Sequence, residues 1–304
     1  MSAINAFEDH HINDIPLEDM YYLFVDTETT GVPNNRYSDW SQCRLIQLGL
    51  LVKNRNLEVM HEECITLAYD GTNSSSPEST AIHGITDEER LNATPGIDAC
   101  KQFLRLGMKC DVLVSHGNAF DFGVIFRECL LYNLDISCLI GKTVVNTKQS
   151  EHYRGFRENL QQTVQRINPE WTYNTDDNTN HAHNALYDAH LCAELFRHSH
   201  HPKLYQSVQS LIEYLNFCKY SADIDELRAK VEEATYYDQR YSNEEEIISD
   251  SLEIDSFDDY SSNCSYKDNM CSGYMTMEDY LRCPYRCSTD LYHHHAPEDY
   301  AEFP

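Results

Sequence analysis

Two acidic residues, Asp26 and Glu28, stand directly after an apolar segment and restrict how the chain can fold. That segment, Tyr22–Val25, is rich in β-forming residues, and Thr-Thr-Gly follows at 29–31, which predicts a buried strand ending in a turn. Side chains at positions i and i+2 of a strand share one face, so both carboxylates project together. Two like charges this close repel each other unless a proton or a cation neutralises them.

A divalent cation is the natural counterion for this pair. Carboxylate oxygens are hard ligands that suit Mg²⁺ or Mn²⁺. The alternative interpretation is that Asp26 and Glu28 merely cap the turn that follows them.

The first 200 residues alternate between strand and helix patterns. Further strands are predicted at 44–53, 57–67, 111–115 and 143–145, and helices at 87–90, 96–106, 122–132, 158–167 and 185–198. The early strands are expected to form an antiparallel meander, and helices follow the later ones. This order predicts an α/β domain with a mixed β-sheet flanked by helices. Residues 71–78, rich in Ser and Thr, are predicted to form a loop.

Composition divides the chain into four segments. Residues 1–20 are polar and predict a flexible N-terminal extension, and residues 21–200 form the predicted domain. Apolar residues at helical spacing predict a helical extension over residues 201–236, with the helical pattern running from 203 to 235. Residues 237–304 are acidic and rich in Ser and Tyr, which favours a disordered tail.

The net charge of −27 over 304 residues argues against a broad nucleic-acid-binding groove, which usually shows a basic footprint. Residues 1–200 contain 28 acidic and 15 basic residues, a net charge of −13. Residues 201–304 contain 22 acidic and 8 basic residues, a net charge of −14. The excess acid is therefore concentrated in the C-terminal third, and the rest favours a short substrate contact mediated by metal ions.

Two later segments carry further candidate residues. Asp121 follows the strand predicted at 111–115, where it is either the N-cap of the next helix or a third carboxylate of the site. Asp188 lies on the apolar side of the helix predicted at 185–198, where an unpaired carboxylate needs a partner or a metal. His183 either reaches the same cleft or is a solvated histidine in a His-rich stretch.

The order of these motifs resembles that of the DEDDh exonuclease family, which includes proofreading subunits of bacterial replicative polymerases and ribonuclease T. Five segments occur in family order: VDTETTG at 25–31, LIQLG at 45–49, IHGIT at 82–86, HGNAFD at 116–121 and HNALYDAHLCAELF at 183–196. The resemblance covers residues 21–200 and implies an RNase H-like fold. The chain departs from it at His116-Gly117, where members often have His-Asn, which calls one substrate-positioning contact into question.

The resemblance also implies a reaction and the residues that perform it. Two Mg²⁺ or Mn²⁺ ions would be held by Asp26, Glu28, Asp121 and Asp188, with His183 as general base. The implied activity is a 3′-to-5′ exonuclease that hydrolyses single-stranded or frayed 3′ ends to nucleoside 5′-monophosphates. The motifs leave DNA and RNA both open as substrates. Residues expected to bind the terminal nucleotide are Thr29, Thr30, Gly31, His83, Gly84, Ile85 and Phe120.

Two other functions are compatible with an RNase H-like fold. The first is a catalytically silent module that docks on a polymerase or another nucleic-acid-processing partner, although all five catalytic positions are filled. The second is an endonuclease, against which the histidine-type third motif argues.

The loop at 32–44 and the tail leave further alternatives. Tyr37 and Trp40 either stack on a base or anchor the loop by local packing. Cys283 and Cys287 approach the spacing of a zinc site. The simpler interpretation of the tail is a solvated acidic segment, and the functional hypothesis is that it docks a protein partner or repels nonspecific nucleic acid from the active site. Because no run of about 18 apolar residues and no signal pattern occurs, an intracellular, cytoplasmic or nuclear protein is predicted, without membrane contact.

Overall fold

The computed structural model describes residues 21–34, 39–154, 158–173, 183–199 and 204–235. The extension predicted at 1–20 and the acidic tail predicted at 237–304, with its cysteines, lie outside the described residues. Among the helices in these ranges, none is long and apolar enough to cross a membrane.

Within the described ranges, six strands form one mixed sheet in the order β3-β2-β1-β4-β5-β6. The antiparallel half consists of β1 Tyr21–Thr29, β2 Leu45–Asn54 and β3 Val59–Thr66. The other half adds β4 Val112–Ser115 and β5 Thr143–Asn146, which continue parallel from β1, and the antiparallel edge strand β6 Tyr205–Ser207. The prediction of an α/β fold with an RNase H-like mixed sheet is thus confirmed.

Helices lie on both faces of this sheet. They are α1 Pro77–His83, α2 Gly96–Lys109, α3 Asn118–Leu131, α4 Leu160–Ile167, α5 Ala185–His198, α6 Val208–Phe217 and α7 at residues 224–235. Short 3-10 turns occupy Glu88–Arg90, Ser137–Leu139 and Thr147–Gln149.

Alternation along β1 divides the core between the two faces. Leu23 and Val25 pack in one cluster with residues of α2, α3 and α6. Phe24 packs on the opposite face against α5, where its ring centroid lies 5.5 Å from that of Phe196. Since residues two apart on a strand share a face, Asp26 and Glu28 continue the α5 side beyond Phe24. The strand therefore carries its two acids towards the start of α5.

Two segments differ from the sequence predictions. The loop predicted at 71–78 gives way to α1 at Pro77, and the Ser76 hydroxyl caps this helix by accepting the Ser79 amide at 3.1 Å. No residue of α1 is buried, so hydrophobic spacing gave no sign of it. The helical pattern predicted from 203 is wrong at Tyr205–Ser207, because pairing with β5 makes this segment a strand. Helices α6 and α7 follow it.

Candidate active site

Strand β1 sets the position of Asp26 and Glu28. Asp26 lies opposite Gly49 of β2, and the regular pairing breaks directly after Glu28. The pairing resumes one residue out of register at Thr29 and Leu45, so a bulge lies beside Glu28, and the side chains of Asp26 and Glu28 are half-buried.

Asp121 reaches the same end of the sheet from the opposite face. Gly117, between β4 and α3, has a φ of 118°, a left-handed conformation that glycine adopts without strain. It is the N-cap residue of α3, so Asp121 lies in the first turn and is not the cap. Asp121 is only 3% exposed and accepts a hydrogen bond from the Thr27 hydroxyl at 2.9 Å. The turn at Gly117 thus folds α3 back so that Asp121 faces β1.

Close packing between β2 and α5 positions Asp188. A Cβ on Gly49 would lie 2.3 Å from the carbonyl carbon and oxygen of Ala185, so only glycine allows α5 to begin this close to the sheet. The Gln47 side chain accepts the Ala185 amide at 3.0 Å, and Asn184 caps the first turn. Because Gly49 is opposite Asp26, the first turn of α5 lies beside β1 and brings Asp188 to the two acids.

The four carboxylates all have raised pKa values, and the charges of the neighbouring acids contribute to those of Asp26 and Glu28. Burial is the largest cause in each case. It acts with the charges of Asp121, Asp188 and Glu28 to raise the pKa of Asp26 well above its ordinary range. The pKa of Glu28 is raised to about 8, with Asp188 and Asp121 contributing after burial. The pKa values of Asp121 and Asp188 are each raised to about 7. At neutral pH the group therefore holds protons that a cation could displace.

His183 completes a possible ligand set. One ligand atom from each of Glu28, His183 and Asp188 lies within 4.8 Å of the others. His183 is exposed and has a φ of 64°, a conformation that non-glycine residues adopt uncommonly and that recurs at functional sites. Oxygen-rich donors with a nearby imidazole fit a hard divalent cation. Asp26 and Asp121 lie outside this close group of three but within electrostatic range of it, since Asp188 and Glu28 raise the pKa of Asp26 and Asp121 raises that of Glu28. The residues present therefore fit the divalent metal that the sequence predicts.

The turn at residues 29–31, which is predicted to bind the substrate, is held in shape by hydrogen bonds to its own and neighbouring main-chain groups. The Thr29 hydroxyl donates to the Gly31 carbonyl at 2.7 Å, and the Thr30 hydroxyl donates to the Gln42 carbonyl at 2.8 Å. The Thr30 amide donates to the Arg44 carbonyl at 2.9 Å, so it is already paired. These contacts fix the shape of the turn beside Glu28.

The segment at 83–85 ends α1 near the acids. Gly84 caps the helix with a φ of 74°, and the Ile85 amide donates to His83 Nδ1 at 3.0 Å. Burial lowers the pKa of His83, Arg90 and His183 lower it further, and a hydrogen bond with the Thr29 backbone acts against them. His83 therefore lies within electrostatic range of His183 and next to the turn that follows Glu28. Phe120, the remaining predicted substrate contact, packs partly buried against the main core.

The loop aromatic Trp40 is a core anchor. It is 1% exposed, and its indole Nε1 donates to the Cys218 carbonyl at 3.2 Å. A Cβ on Gly123 would lie 2.5 Å from the indole ring, so α3 packs directly against it. Of the two interpretations of this residue, local packing is the one that the structure supports. Tyr37 lies outside the described residues.

Lys148 is a site residue that the sequence motifs did not indicate. It follows β5, and its positive charge lowers the pKa of Asp121 and of His116. Burial is the larger cause for His116, whose pKa falls to about 3. The available signal was positional, since ligands of open α/β sheets gather beyond the carboxyl ends of the parallel strands.

A family profile and several solved structures match this chain. The profile of the exonuclease family, RNase T, matches residues 23–196, more than half of the chain. Escherichia coli exonuclease I in complex with a dT13 oligonucleotide is 15% identical with a TM-score of 0.43, covering 59% of this chain and 40% of that chain. The structure of exonuclease I that addresses its processivity is 15% identical with a TM-score of 0.46, covering 61% and 42%.

A zinc-bound form of the Escherichia coli exonuclease I complex with single-stranded DNA is also similar, at 15% identity and a TM-score of 0.43, covering 61% of this chain and 42% of that chain. The chain thus spans about two fifths of the length of the exonuclease I structures. No curated protein sequence gives a significant match. The family profile extends from β1 to the end of α5 and so includes every element of the carboxylate site: the chain belongs to the DEDDh-type exonuclease family.

Proposed function

We propose that the protein is a metal-dependent 3′-to-5′ exonuclease that releases nucleoside 5′-monophosphates from the ends of DNA or RNA. One observation carries the proposal: four carboxylates from β1, α3 and α5 meet with raised pKa values beside an exposed histidine. Perturbed pKa values of this kind cluster at functional sites. Here the repulsion between ionised carboxylates is relieved either by protons or by a bound cation that displaces them.

Two Mg²⁺ or Mn²⁺ ions would be held by Asp26, Glu28, Asp121 and Asp188. Two such ions, when bound, supply charge that stabilises both the attacking and the leaving oxygen of an in-line displacement. The carboxylates must lose their protons to bind them, so binding is expected to release protons at neutral pH. The acids also explain how a protein of net charge −27 can accept an anionic substrate, since bound cations reverse the local charge.

The protein's own residues would position the strand and move the proton. His183 is exposed beside Glu28 and Asp188, where its imidazole can accept a proton from the attacking water. The water oxygen bonds to phosphorus, the bond from phosphorus to the 3′ oxygen breaks, and the leaving oxygen takes a proton from solvent. The rigid turn at Thr29–Gly31, the segment at 83–85 and Phe120 would bind the terminal nucleotide.

The test is digestion of single-stranded DNA and RNA that carry a label at either end, with Mg²⁺, with Mn²⁺ and with a chelator. We expect labelled nucleoside 5′-monophosphate to appear at once from the 3′-labelled strand, and a ladder shortened from its 3′ end for the 5′-labelled strand. His183→Ala should lower turnover by about 10²–10⁴-fold, the usual contribution of a general base. His198→Gln, at the other end of α5, is the matched control and should keep wild-type turnover.

Two results would end the proposal. Cleavage of a circular single strand would indicate an endonuclease. Absence of divalent-cation binding in a calorimetric titration, together with intact substrate, would indicate a silent docking module.

A further inference from the structure

The main chain at Lys148 is held in place at the carboxyl end of β5. The Asn146 side chain accepts the Lys148 amide at 3.0 Å and caps the short turn Thr147–Gln149. Thr147 is fully buried, and its hydroxyl lies 3.0 Å from His116 Nδ1 and 3.3 Å from the Ser115 carbonyl oxygen that accepts it. The start of the Lys148 side chain is therefore fixed relative to β4 and to the turn before α3.

The side chain of Lys148 extends over Gly117. A Cβ built on Gly117 would lie 3.6 Å from Lys148 Nζ and 3.7 Å from its Cδ. The ammonium thus lies over the turn that presents Asp121, which agrees with its effect in lowering the pKa of that acid. Lys148 is exposed, and among the described residues its ammonium forms no ion pair and no hydrogen bond. An exposed ammonium over the turn that presents Asp121 is available to an incoming ligand.

The chemistry of a nucleic-acid strand matches this position. When one phosphodiester lies at the carboxylates, the next phosphate along the strand remains fully charged and receives no cation from the carboxylate site. A lysine ammonium is a compact point charge that binds phosphate without requiring a fixed orientation. In a domain whose residues up to 200 carry a net charge of −13, such a contact must be local rather than part of a basic groove.

We propose that Lys148 binds the first non-scissile phosphate of the substrate strand, on the 5′ side of the bond that is cleaved. This inference rests on the proposed exonuclease function. It makes Lys148 a positioning residue that holds the strand and takes no part in the proton transfers.

The experiment compares wild type with Lys148→Gln and Lys148→Arg on single-stranded oligonucleotides. Lys148→Gln is expected to raise KM by about tenfold with kcat within twofold, and to reduce the salt dependence of KM by about 0.7 in log–log slope, the value of one phosphate contact on a single strand. Lys148→Arg keeps the charge and should stay within threefold of wild type. Lys101→Gln removes an exposed lysine from α2 as the matched control and should change neither quantity.

Two modified substrates locate the contact. An uncharged methylphosphonate at the first non-scissile linkage should raise the KM of wild type by the same tenfold and leave that of Lys148→Gln unchanged. The p-nitrophenyl ester of thymidine 5′-phosphate contains no second phosphate, so wild type and Lys148→Gln should hydrolyse it equally at a divalent-cation concentration that saturates both proteins.

Several outcomes overturn the inference while leaving the exonuclease proposal intact. They are equal KM and salt slope for wild type and Lys148→Gln, an equal loss on the single-phosphate ester, and a methylphosphonate effect that persists in Lys148→Gln. If wild type digests neither the oligonucleotide nor the ester with any divalent cation, the exonuclease proposal itself fails, and the inference fails with it.

Discussion

Helix α3 carries two buried acids seven residues apart, Asp121 and Glu128, which have opposite electrostatic surroundings. Glu128 accepts hydrogen bonds from Arg44 Nε at 2.5 Å and Nη2 at 3.2 Å, and from the Leu45 amide at 3.1 Å. Arg44 also bonds Asp70 at 2.8 Å, so this region contains its own counterion. Asp121 accepts a hydrogen bond from the neutral Thr27 hydroxyl instead, and burial raises its pKa to about 7 although the nearby charge of Lys148 acts in the opposite direction.

The difference separates an acid that stabilises the fold from one that is prepared for a ligand. A buried ion pair is costly to break, because one charge is left without a partner in a low dielectric. Unpaired carboxylates at the end of β1 instead destabilise the folded state, and a bound cation removes this destabilisation. The same helix can hold both, since its two acids are two turns apart and face different elements. This comparison predicts that neutralising an acid of the carboxylate site disables the reaction, whereas neutralising Glu128 weakens the fold.

The largest effect is expected for Asp26→Asn, which keeps the shape of the side chain and removes a metal ligand. Turnover should fall by about 10³-fold, since charge stabilisation by a metal is worth several kcal/mol. The thermal midpoint without metal should not fall, because the variant removes one of four mutually repelling groups. Asp98→Asn, an exposed acid on α2, serves as the control. Turnover within tenfold of wild type would contradict the assignment of Asp26.

Glu128→Ala should give the opposite pattern. It leaves Arg44 buried beside the weaker partner Asp70, so we expect a loss of about 3 kcal/mol in the free energy of unfolding, measured with urea. At low temperature, where the variant is still folded, kcat should stay within threefold of wild type. If kcat falls strongly while the protein remains fully folded, Glu128 belongs to the site, and the proposed distinction between the two acids is wrong.

Gly49→Ala tests how the site is assembled rather than its charge. The added methyl group would meet the main chain at Ala185, so α5 must shift outward and carry Asp188 with it. We expect about 2 kcal/mol of destabilisation from overpacking and about a 10²-fold loss of turnover from the displaced ligand. Gly141→Ala is the matched control, because nothing lies within 4 Å of a Cβ at that position. Equal behaviour of the two variants would show that the start of α5 adjusts freely.

Strand periodicity was sufficient to predict one half of the site. The apolar run and the two-residue repeat already placed Asp26 and Glu28 on one face at the end of a buried strand, which is the arrangement that β1 has. Local sequence patterns could not predict that Asp121 and Asp188 lie near these two acids, since each residue belongs to a different helix that is far from β1 in the sequence. Only the order of the motifs linked them.

The sequence could not indicate features that depend on distant neighbours. Helix α1 buries no residue and so shows no hydrophobic period, and the short strand β6 exists because β5 offers an edge. Packing against Gly123 and the hydrogen bond to the Cys218 carbonyl decided between the two interpretations of Trp40, and neither contact can be inferred from the loop sequence. Lys148 looked like any exposed lysine until the turn at Gly117 placed it beside Asp121.

The smallest effect is expected in the pH dependence of stability in a chelator, which tests the raised pKa of the buried Asp188 carboxyl group directly. The folded pKa of Asp188, about 7, is above the ordinary value of an unfolded aspartate, near 4. Between these values the folded state holds a proton that the unfolded state has lost, so stability falls as pH rises, and the cost is constant above about pH 7. Asp188→Asn removes this cost.

We therefore expect Asp188→Asn to be more stable than wild type by at least about 1 kcal/mol at pH 8, and by less at pH 5. This lower limit is smaller than the free energy that corresponds to a shift of one pKa unit, because solvent partly screens the side chain. Wild type and Asp188→Asn share the same histidines and paired acids, so the contribution of these groups to the pH dependence cancels in the stability difference. With saturating Mg²⁺ the order should reverse, because wild type then gains binding free energy that the variant has lost. A stability difference that does not vary between pH 5 and pH 8 would mean that Asp188 is already ionised in the folded protein. The contrast between Asp121 and Glu128 would then rest on geometry alone, and the cation would be expected to bind without releasing protons.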